Sequence, residues 1–429
     1  MQVSKICVMG LGYIGLPTAS TFANHGLQVI GVDVDQKVVA TLRNGGLHIQ
    51  EPGLRTLVQA AIGSGHLAIS DRPEPADAFI IAVPTPFYDD KRADMRYVVS
   101  ASEAIVPHLR PGNLVVLEST SPPRTTLDIV APILEKSGLK AGMDDHPDGF
   151  HLAYSPERVL PGQILRELID NARVIGGVDR ASSQAGRDLY ATFVRGDIVL
   201  TNATTAEMVK LMENTYRDVN IAIANEFSRL AERFGIDAWE AIGIANLHPR
   251  VKILSPGPGV GGHCISVDPW FFVEAAPDIT PLIRTSRQVN DRQPQLVIDR
   301  ITGAMRDLKG RQIAVLGLAY KPDVDDLRES PAVEVAHLLA EAGAQVKAFE
   351  PNKTEARIAG VECVPTLEAA LEGAELVVLL VRHSAFLDLS PQDVAERSSA
   401  RLVFDAVNAW PWQAWEQAGF SMLRLGVGT

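Results

Sequence analysis

A chain of 429 residues, 46% of them hydrophobic, can bury two or three cores, which predicts a multidomain globular protein and excludes a disordered or fibrous one. The net charge of −12 disfavours binding to nucleic acid or to a membrane surface, and no apolar run approaches the ~20 residues that span a bilayer. The three cysteines are widely spaced, and no secretory signal precedes the first strand-like segment. We therefore expect a cytoplasmic protein without disulfides or a metal site.

The first predicted element is a strand from Ile6 that runs into the turn Gly10-x-Gly12-x-x-Gly15 and then into a helix. A second strand ends at Asp33. This order is typical of dinucleotide binding, because the glycines let the backbone approach a pyrophosphate, which then meets the amide groups at the helix N-terminus. Asp33 would accept hydrogen bonds from a ribose 2′-hydroxyl and repel a 2′-phosphate, which predicts NAD rather than NADP as the cofactor.

Further strands are predicted at residues 78–83 and 114–117, and a long helix follows at residues 204–234, a segment without Gly or Pro. At 1.5 Å per residue this helix is ~45 Å long, so its apolar face predicts a subunit interface and at least a homodimer. Lys210 and Asn214 lie four residues apart on one face of the helix. They could form a solvated polar stripe, or an ammonium and an amide that stabilise a developing oxyanion.

A glycine-rich loop, Pro256-Gly-Pro-Gly-Val-Gly-Gly-His263-Cys264, ends in a thiol. A lone cysteine is more often an inert buried residue, but a thiol in a loop that can wrap around a sugar suits aldehyde oxidation. It adds to the carbonyl, holds a thiohemiacetal for a second oxidation, and leaves a thioester that water can hydrolyse. His263 neighbours this thiol, but adjacent loop side chains usually point apart, so we do not expect it to act as the base.

The strand and turn pattern of the N-terminal segment returns at Ile313, where a strand leads to Gly317 and a later strand ends at Glu350. Strands at residues 376–380 and 402–404 follow. Strands that alternate with helices indicate parallel sheets. The predicted fold class is therefore α/β, with two doubly wound Rossmann-like domains joined by the long central helix.

Seven motifs occur in order along nearly the whole chain: Gly10 to Gly15, Pro84-Thr85-Pro86, Ser119-Thr120, Tyr154-Ser-Pro-Glu157-Arg158, Glu207-x-x-Lys210-x-x-x-Asn214, Gly261-Gly-His-Cys264-x-x-x-Asp268 and Lys321-Pro-Asp-x-x-Asp-x-Arg328-Glu-Ser. With them the chain resembles the UDP-glucose/GDP-mannose dehydrogenase family. The resemblance implies an NAD-binding domain at residues 1–197, a central helical dimerisation domain with the cysteine loop at 198–297, and a UDP-sugar-binding domain at 298–429.

The family's residue roles carry over to the matching positions. The implied catalytic residues are Cys264, Lys210, Asn214, Asp268, Glu157 and Thr120. Among them Cys264 is the nucleophile, Asp268 and Thr120 organise the hydrolytic water, and Glu157 is a general acid or base. The implied cofactor contacts are Gly10, Gly12, Tyr13, Ile14, Gly15, Asp33, Pro84, Thr85, Ser119, Thr120 and Arg328. The implied substrate contacts are Glu157, Arg158, Lys210, Asn214, Arg250, Gly261 and Lys321. Arg250 resembles a family arginine that reaches the sugar end of the substrate, either in its own subunit or across a dimer interface.

One departure bears on the substrate. Glucose-oxidising family members follow Pro-Glu with Phe-Leu and a second Glu, whereas this chain has Arg158 and lacks that Glu. This form resembles the branch that acts on UDP-N-acetylhexosamines, and the residues around Cys264 favour the manno over the gluco epimer. The resemblance thus implies a four-electron oxidation of the sugar 6-position, giving a uronic acid for cell-surface polysaccharide.

Two other functions compete with this prediction. A single-hydride dehydrogenase of the 3-hydroxyacid type shares the N-terminal pattern but needs no cysteine nucleophile, and a regulator that only binds NAD needs no chemistry. The number of NADH formed per substrate separates the three, at two, one and none.

Overall fold

The computed structural model describes residues 3–428. They form two compact units: the chain up to Glu213 together with Trp270–Pro277, and Asn214–Pro269 together with the chain from Asp278 onward. The three-domain boundaries inferred from the sequence stay a prediction.

The first unit is a mostly parallel sheet of eight strands with helices between them. The strands are β1 (Lys5–Met9), β2 (Gln28–Val32), β3 (Leu67–Ser70), β4 (Ala78–Ile81), β5 (Leu114–Leu117), β6 (His151–Tyr154), β7 (Arg173–Gly177) and β8 (Ile198–Asn202). The helices are α1 (Gly15–Asn24), α2 (Gln36–Arg43), α3 (Leu54–Gly63), α4 (Arg96–Ile105), α5 (Ala131–Leu134), α6 (Ile164–Asp170) and α7 (Arg180–Tyr190), with a π-helical turn at Thr126–Val130 and 3₁₀ turns at Val106–His108 and Glu135–Ser137.

The order of the strands in this sheet is β3-β2-β1-β4-β5-β6-β7-β8, and only the β6–β7 pair is antiparallel. The central strands are buried on both faces, so alternate residues enter two cores. Val8 and Ile80 lie in the core on one side of the sheet, whereas Cys7 and Phe79 lie in the core on the other. The strand order reverses between β1 and β4, and the carboxyl ends of strands at such a point form the usual crevice for a ligand.

Two helices contain residues of both units. They are α8 (Ala203–Phe234), of 32 residues and ~48 Å, and α10 (Asp268–Ala275). The remaining helices belong to the second unit and are α9 (Ala238–Ala245), α11 (Pro281–Asp291), α12 (Gln293–Met305), α13 (Pro331–Glu341), α14 (Leu367–Leu371), α15 (Ser384–Leu387), α16 (Pro391–Arg397) and α17 (Trp412–Gln417).

The sheet of the second unit is parallel throughout. Its strands are β9 (Gln312–Leu316), β10 (Gln345–Phe349), β11 (Glu362–Cys363), β12 (Leu376–Leu379), β13 (Leu402–Asp405) and β14 (Ser421–Arg424), in the order β11-β10-β9-β12-β13-β14. The order reverses between β9 and β12, so the connection from β9 to α13 opens at the crevice. That connection ends where Ser330 caps α13 by accepting a hydrogen bond from the Ala332 N–H.

This architecture confirms the predicted α/β fold, with its two Rossmann-like sheets and the long helix. The sequence patterns did not indicate strands β3, β6, β7, β8, β11 and β14 or the separate helices α9, α11 and α12. Strands β7 and β8 are parallel to each other and antiparallel to the rest of their sheet. None of the helices among residues 3–428 is long and apolar enough to cross a membrane.

Candidate active site

The glycine turn between β1 and α1 uses its three glycines in different ways. Gly10 has a φ of +93°, and a Cβ there would lie 2.6 Å from the Ala82 carbonyl oxygen. A Cβ on Gly15 would lie 1.9 Å from the Gly10 carbonyl oxygen, so both positions exclude a side chain for packing reasons. Gly12, in contrast, has no atom within 4 Å of its Cβ direction. The turn is therefore tightly packed at Gly10 and Gly15 and has free space at Gly12. This arrangement fits the approach of a pyrophosphate to the start of α1.

Asp33 directly follows β2 and faces this turn. Its carboxylate accepts hydrogen bonds from the Leu11 N–H at 2.9 Å and from the Asp35 N–H at 2.9 Å. The side chain stays partly exposed, so an acidic group lies beside the glycines where a dinucleotide places its ribose. The residues present thus fit NAD, and Tyr13 and Ile14 lie within the same turn.

The other implied cofactor residues of this unit follow β4 and β5. The Ser119 hydroxyl donates to the Val83 carbonyl at 2.7 Å and so ties the end of β5 to the segment that enters Pro84 and Thr85. Thr120 is next in the chain and is partly exposed. Because β1, β4 and β5 are neighbours in one parallel sheet, these residues lie at the same edge as the glycine turn.

Glu207 on α8 holds the segment that follows Thr120. Its buried carboxylate accepts hydrogen bonds from the Arg124 N–H at 2.5 Å, the Thr126 N–H at 2.7 Å and the Thr126 hydroxyl at 2.6 Å. Lys210 lies one helical turn further along α8 and is half-buried. In the sequence Glu207 stands out only as part of a motif. Its hydrogen-bond partners Arg124 and Thr126 are 83 and 81 residues away, so no local pattern indicates this role.

Glu157 is held by an arginine that the sequence did not single out. Arg173, the first residue of β7, forms an ion pair with Glu157 and a second one with Glu118 at 3.2 Å. The Glu157 carboxylate also accepts a hydrogen bond from the Arg158 N–H at 2.7 Å. Burial raises the pKa of Glu118 to about 7, with the neighbouring Arg173 opposing that rise. Glu118 and Arg173 are therefore functional candidates, and the available signal was a charged residue directly after the apolar strand β5 and another at the start of β7.

The Arg158 side chain is directed to α8. Its guanidinium pairs with Glu213 at 3.1 Å. Glu213 lies three residues after Lys210 on α8. A role of Arg158 in substrate binding stays a prediction.

The cysteine loop is packed inside the second unit. A Cβ on Gly261 would lie 2.4 Å from the Glu329 carbonyl oxygen, and one on Gly262 would lie 2.7 Å from the Tyr320 ring. The Gly262 N–H donates to the Arg328 carbonyl at 3.1 Å. These glycines are thus required by contact with the segment between β9 and α13, and that contact fixes the position of the loop.

Cys264 stands at the junction of this loop and α10. Its side chain is partly exposed, and its carbonyl accepts hydrogen bonds from the Val267 N–H at 3.0 Å and the Asp268 N–H at 2.8 Å. Burial raises the pKa of the Cys7 thiol to about 11 and also raises that of Cys363. Both of those thiols are therefore poor nucleophiles at neutral pH, which favours Cys264 as the reactive one.

Asp268 and Asn214 are joined by a direct hydrogen bond. The Asn214 amide donates to the Asp268 carboxylate at 2.5 Å, and both side chains are buried. This bond connects the carboxylate four residues after Cys264 with the helix turn after Lys210. The structure therefore brings Asn214, Cys264 and Asp268 together within the second unit.

The remaining predicted residues of the second unit lie on two loops. Arg328 pairs with Asp326 at 2.7 Å and donates to His263 Nδ1 at 3.0 Å, so His263 is turned toward this pair. Lys321 lies on the same connection, with its ammonium 5.8 Å from the Tyr320 ring. Arg250 is exposed beyond α9 and contacts only its neighbour His248 among the hydrogen-bonding partners in the described chain.

Comparison with known proteins assigns these features to one family. Residues 4–194 match the NAD binding domain of the UDP-glucose/GDP-mannose dehydrogenase family, residues 204–292 its central domain, and residues 314–411 its UDP binding domain. A UDP-N-acetyl-D-mannosamine dehydrogenase of Methanococcus maripaludis is 45% identical over 100% of this chain and 98% of its own length.

Two further relatives agree. An NDP-N-acetyl-D-galactosaminuronic acid dehydrogenase of Ralstonia nicotianae is 49% identical over 94% of this chain and 96% of its own. The solved structure of the UDP-D-ManNAc dehydrogenase from Pyrococcus horikoshii matches with a TM-score of 0.91 and 39% identity, covering 98% of this chain and 99% of that one. The chain therefore belongs to the UDP-glucose/GDP-mannose dehydrogenase family and is an NAD-dependent nucleotide-sugar dehydrogenase.

Proposed function

We propose that this enzyme oxidises the 6-hydroxymethyl group of a UDP-N-acetylhexosamine, UDP-N-acetyl-D-mannosamine in the first place, to the carboxylate. The hydrogen bond between Asn214 and Asp268 carries the proposal. It fixes an amide and a carboxylate beside the Cys264 turn, the set of groups that a covalent aldehyde oxidation needs. The substrate assignment is supported by the names of the relatives that are 45% and 39% identical over nearly the full chain.

The cofactor would be held by the glycine turn, with Asp33 at the ribose. NAD⁺, when bound, supplies the hydride acceptor for each of the two oxidations. Lys210 and Asn214 lie one turn apart on α8, and their N–H groups would stabilise the negative charge that develops on the sugar oxygen. Arg328 and Lys321 are proposed as contacts to the cofactor and the substrate, respectively.

The thiolate of Cys264 would add to the aldehyde carbon and hold it as a thiohemiacetal. After the second oxidation the carbon is bound to sulfur as a thioester. Water, organised by Asp268 and Thr120, would then attack this carbon, and the C–S bond would break to release the acid and restore the thiolate. Glu157 would take or give the proton in these steps.

We further propose that the exposed apolar stripe of α8 binds a second copy of this chain. Tyr216, Ile223, Phe227, Leu230 and Phe234 recur every three, four or seven residues, and each is exposed by 40% or more. Contiguous exposed apolar surface of this kind marks protein–protein interaction sites. The α9 end of the same unit adds the exposed residues Ile244 and Leu247. Arg250 lies three residues beyond Leu247, and in the proposed dimer it would reach the partner's substrate.

Light scattering at micromolar concentration tests this association. The wild-type chain should be at least a dimer, and Ile223→Glu, which places a charge in the middle of the stripe, should shift it to monomer. Val34→Glu serves as the control, because Val34 is an exposed apolar residue of the first unit. A fully active monomeric wild type would overturn the proposal. The cytoplasm is the proposed compartment, since it keeps thiols reduced, and a uronic acid for surface polysaccharide is the proposed product.

An NADH assay tests the reaction. UDP-N-acetylmannosamine, UDP-N-acetylglucosamine, UDP-N-acetylgalactosamine, UDP-glucose and GDP-mannose are each offered in limiting amount. Two NADH per UDP-N-acetylmannosamine are expected, with little from UDP-glucose. One NADH per substrate would identify a single-hydride dehydrogenase, and no NADH would leave a binding protein. A preference for the galacto epimer is the second candidate, favoured by the relative that is 49% identical.

A further inference from the structure

Glu157 belongs to a buried group of three charged side chains within the first unit, together with Glu118 and Arg173. Glu118 follows β5, Glu157 follows β6, and Arg173 begins β7. These strands are neighbours in the sheet, so residues 55 and 16 positions away meet Arg173. The side chains of Glu118 and Arg173 are 0% and 4% exposed. The cluster therefore combines one cation with two carboxylates away from water.

The groups around Glu118 satisfy only one of its two carboxylate oxygens. Its Oε1 accepts hydrogen bonds from the Tyr190 hydroxyl at 2.6 Å and from Arg173 at 3.2 Å. Its buried Oε2 finds no hydrogen-bond partner anywhere in residues 3–428. A buried oxygen without a donor is costly as part of an anion, whereas a protonated carboxyl needs less stabilisation. Burial likewise raises the pKa of Glu118 to about 7, so the cluster should bind one proton near neutral pH.

The groups that face this cluster lie on α7, on the segment after β6, and on α8. The ring of Tyr190 on α7 lies 4.2 Å from the Arg173 guanidinium, and the Ser155 hydroxyl lies 3.1 Å from the same group. On the outer side, Arg158 donates its N–H to Glu157 and pairs with Glu213 of α8. Arg173 is thus the cation that both carboxylates share. A change of charge on one carboxylate therefore alters the pairing of Arg173 with the other.

We propose that Glu118 is a positioning residue that decides, by its own protonation, how firmly the guanidinium of Arg173 holds Glu157, without touching the substrate. With Glu118 protonated, Arg173 pairs with Glu157 alone and holds its carboxylate firmly. With Glu118 ionised, Arg173 is shared between the two carboxylates, and Glu157 is held less firmly for its proposed proton transfer. This inference rests on the acid or base role proposed for Glu157.

The test uses the pH dependence of turnover with the full-length enzyme. Wild type should show a rise in rate through an inflection near neutrality, as Glu118 ionises. In Glu118→Gln this inflection should disappear, because the amide cannot ionise. In Tyr190→Phe it should move to higher pH by about half a unit or more, since the carboxylate has lost a hydrogen-bond donor. A cluster that is only structural would lower the whole profile in both variants without moving the inflection, and that result overturns the proposal.

Infrared difference titration keeps the test independent of activity and of the Gln variant's folding. In wild type, the C=O band of a protonated buried carboxyl should disappear as the pH rises through neutrality, and Tyr190→Phe should shift that transition upward. The absence of such a band in wild type at slightly acidic pH overturns the inference. Should no UDP-sugar yield NADH, the proposed function fails, while the infrared titration still decides whether the cluster holds a proton.

Discussion

The substitution Glu207→Gln should destabilise the first unit, because this buried carboxylate accepts three hydrogen bonds from the Arg124 and Thr126 groups. An amide has the same shape but one acceptor oxygen and no charge. Whichever way it is turned, its NH₂ group faces at least one N–H donor. In the better orientation the oxygen keeps both Thr126 bonds, and the NH₂ group opposes the Arg124 N–H.

The magnitude follows from these three bonds. A hydrogen bond to a charged group contributes ~1.5–3 kcal/mol, and a neutral one ~0.5–1.5 kcal/mol. Losing one bond and making two others neutral therefore costs about 4–5 kcal/mol. Burial raises the pKa of Glu207, with the Thr126 hydrogen bonds opposing the rise, so removing the charge returns part of the desolvation cost. We expect a net decrease of ~2–3 kcal/mol in the free energy of unfolding.

Urea unfolding followed by circular dichroism measures this loss, and hydrogen exchange shows whether residues 124–134 lose protection first. The matched control is Glu226→Gln on the same helix, where the side chain is 61% exposed and lies 3.6 Å from Arg229. It should change stability by less than ~0.5 kcal/mol. Equal urea midpoints for the two variants, with unchanged protection of residues 124–134, would refute the reasoning.

Four further outcomes are expected. Asp33→Asn should weaken NAD binding and narrow the preference over NADP, as measured by isothermal titration, and comparable turnover of wild type with both cofactors would contradict the role of Asp33. Cys264→Ser should stop acid production while a slow first oxidation survives, so that fewer than two NADH form per sugar; normal acid production would remove the covalent mechanism. Lys210→Ala should slow both oxidations by ~10²–10³-fold, seen in single-turnover traces, and an unaffected first oxidation would argue against an oxyanion role. Because burial raises the pKa of Glu118 to about 7 in the folded state, its contribution to stability is present in acid and lost as the pH rises to about 7. In the Glu118→Gln variant, the urea midpoint should therefore fall less between pH 5 and 8 than it does in wild type. An equal fall in both proteins would count against the raised pKa of Glu118.

Short-range patterns in the sequence were enough for the fold. Glycine turns, alternating strands and a Gly-free helix are set by neighbouring residues, so α8 and eight strands of the two sheets, β1, β2, β4, β5, β9, β10, β12 and β13, were predicted within a few residues of their observed bounds. The motif residues Cys264 and Asp268 could likewise be named in advance, since they are four residues apart in one loop. Their bond to α8 could not, because Asn214 is 54 residues from Asp268.

The acidic residues that follow the second strand of each sheet differ in a way that the sequence pattern does not predict and that tertiary packing determines. Asp33 and Glu350 occupy equivalent places in the same pattern, and each accepts N–H groups from the turn after the first strand. Asp33 stays partly exposed beside an open turn, which suits a ribose. Glu350 is buried and accepts a hydrogen bond from His383, 33 residues further along the chain, at 3.0 Å. The Glu350 carboxylate is thus buried and bonded to the chain's own imidazole, and only packing between residues remote in sequence could make that difference.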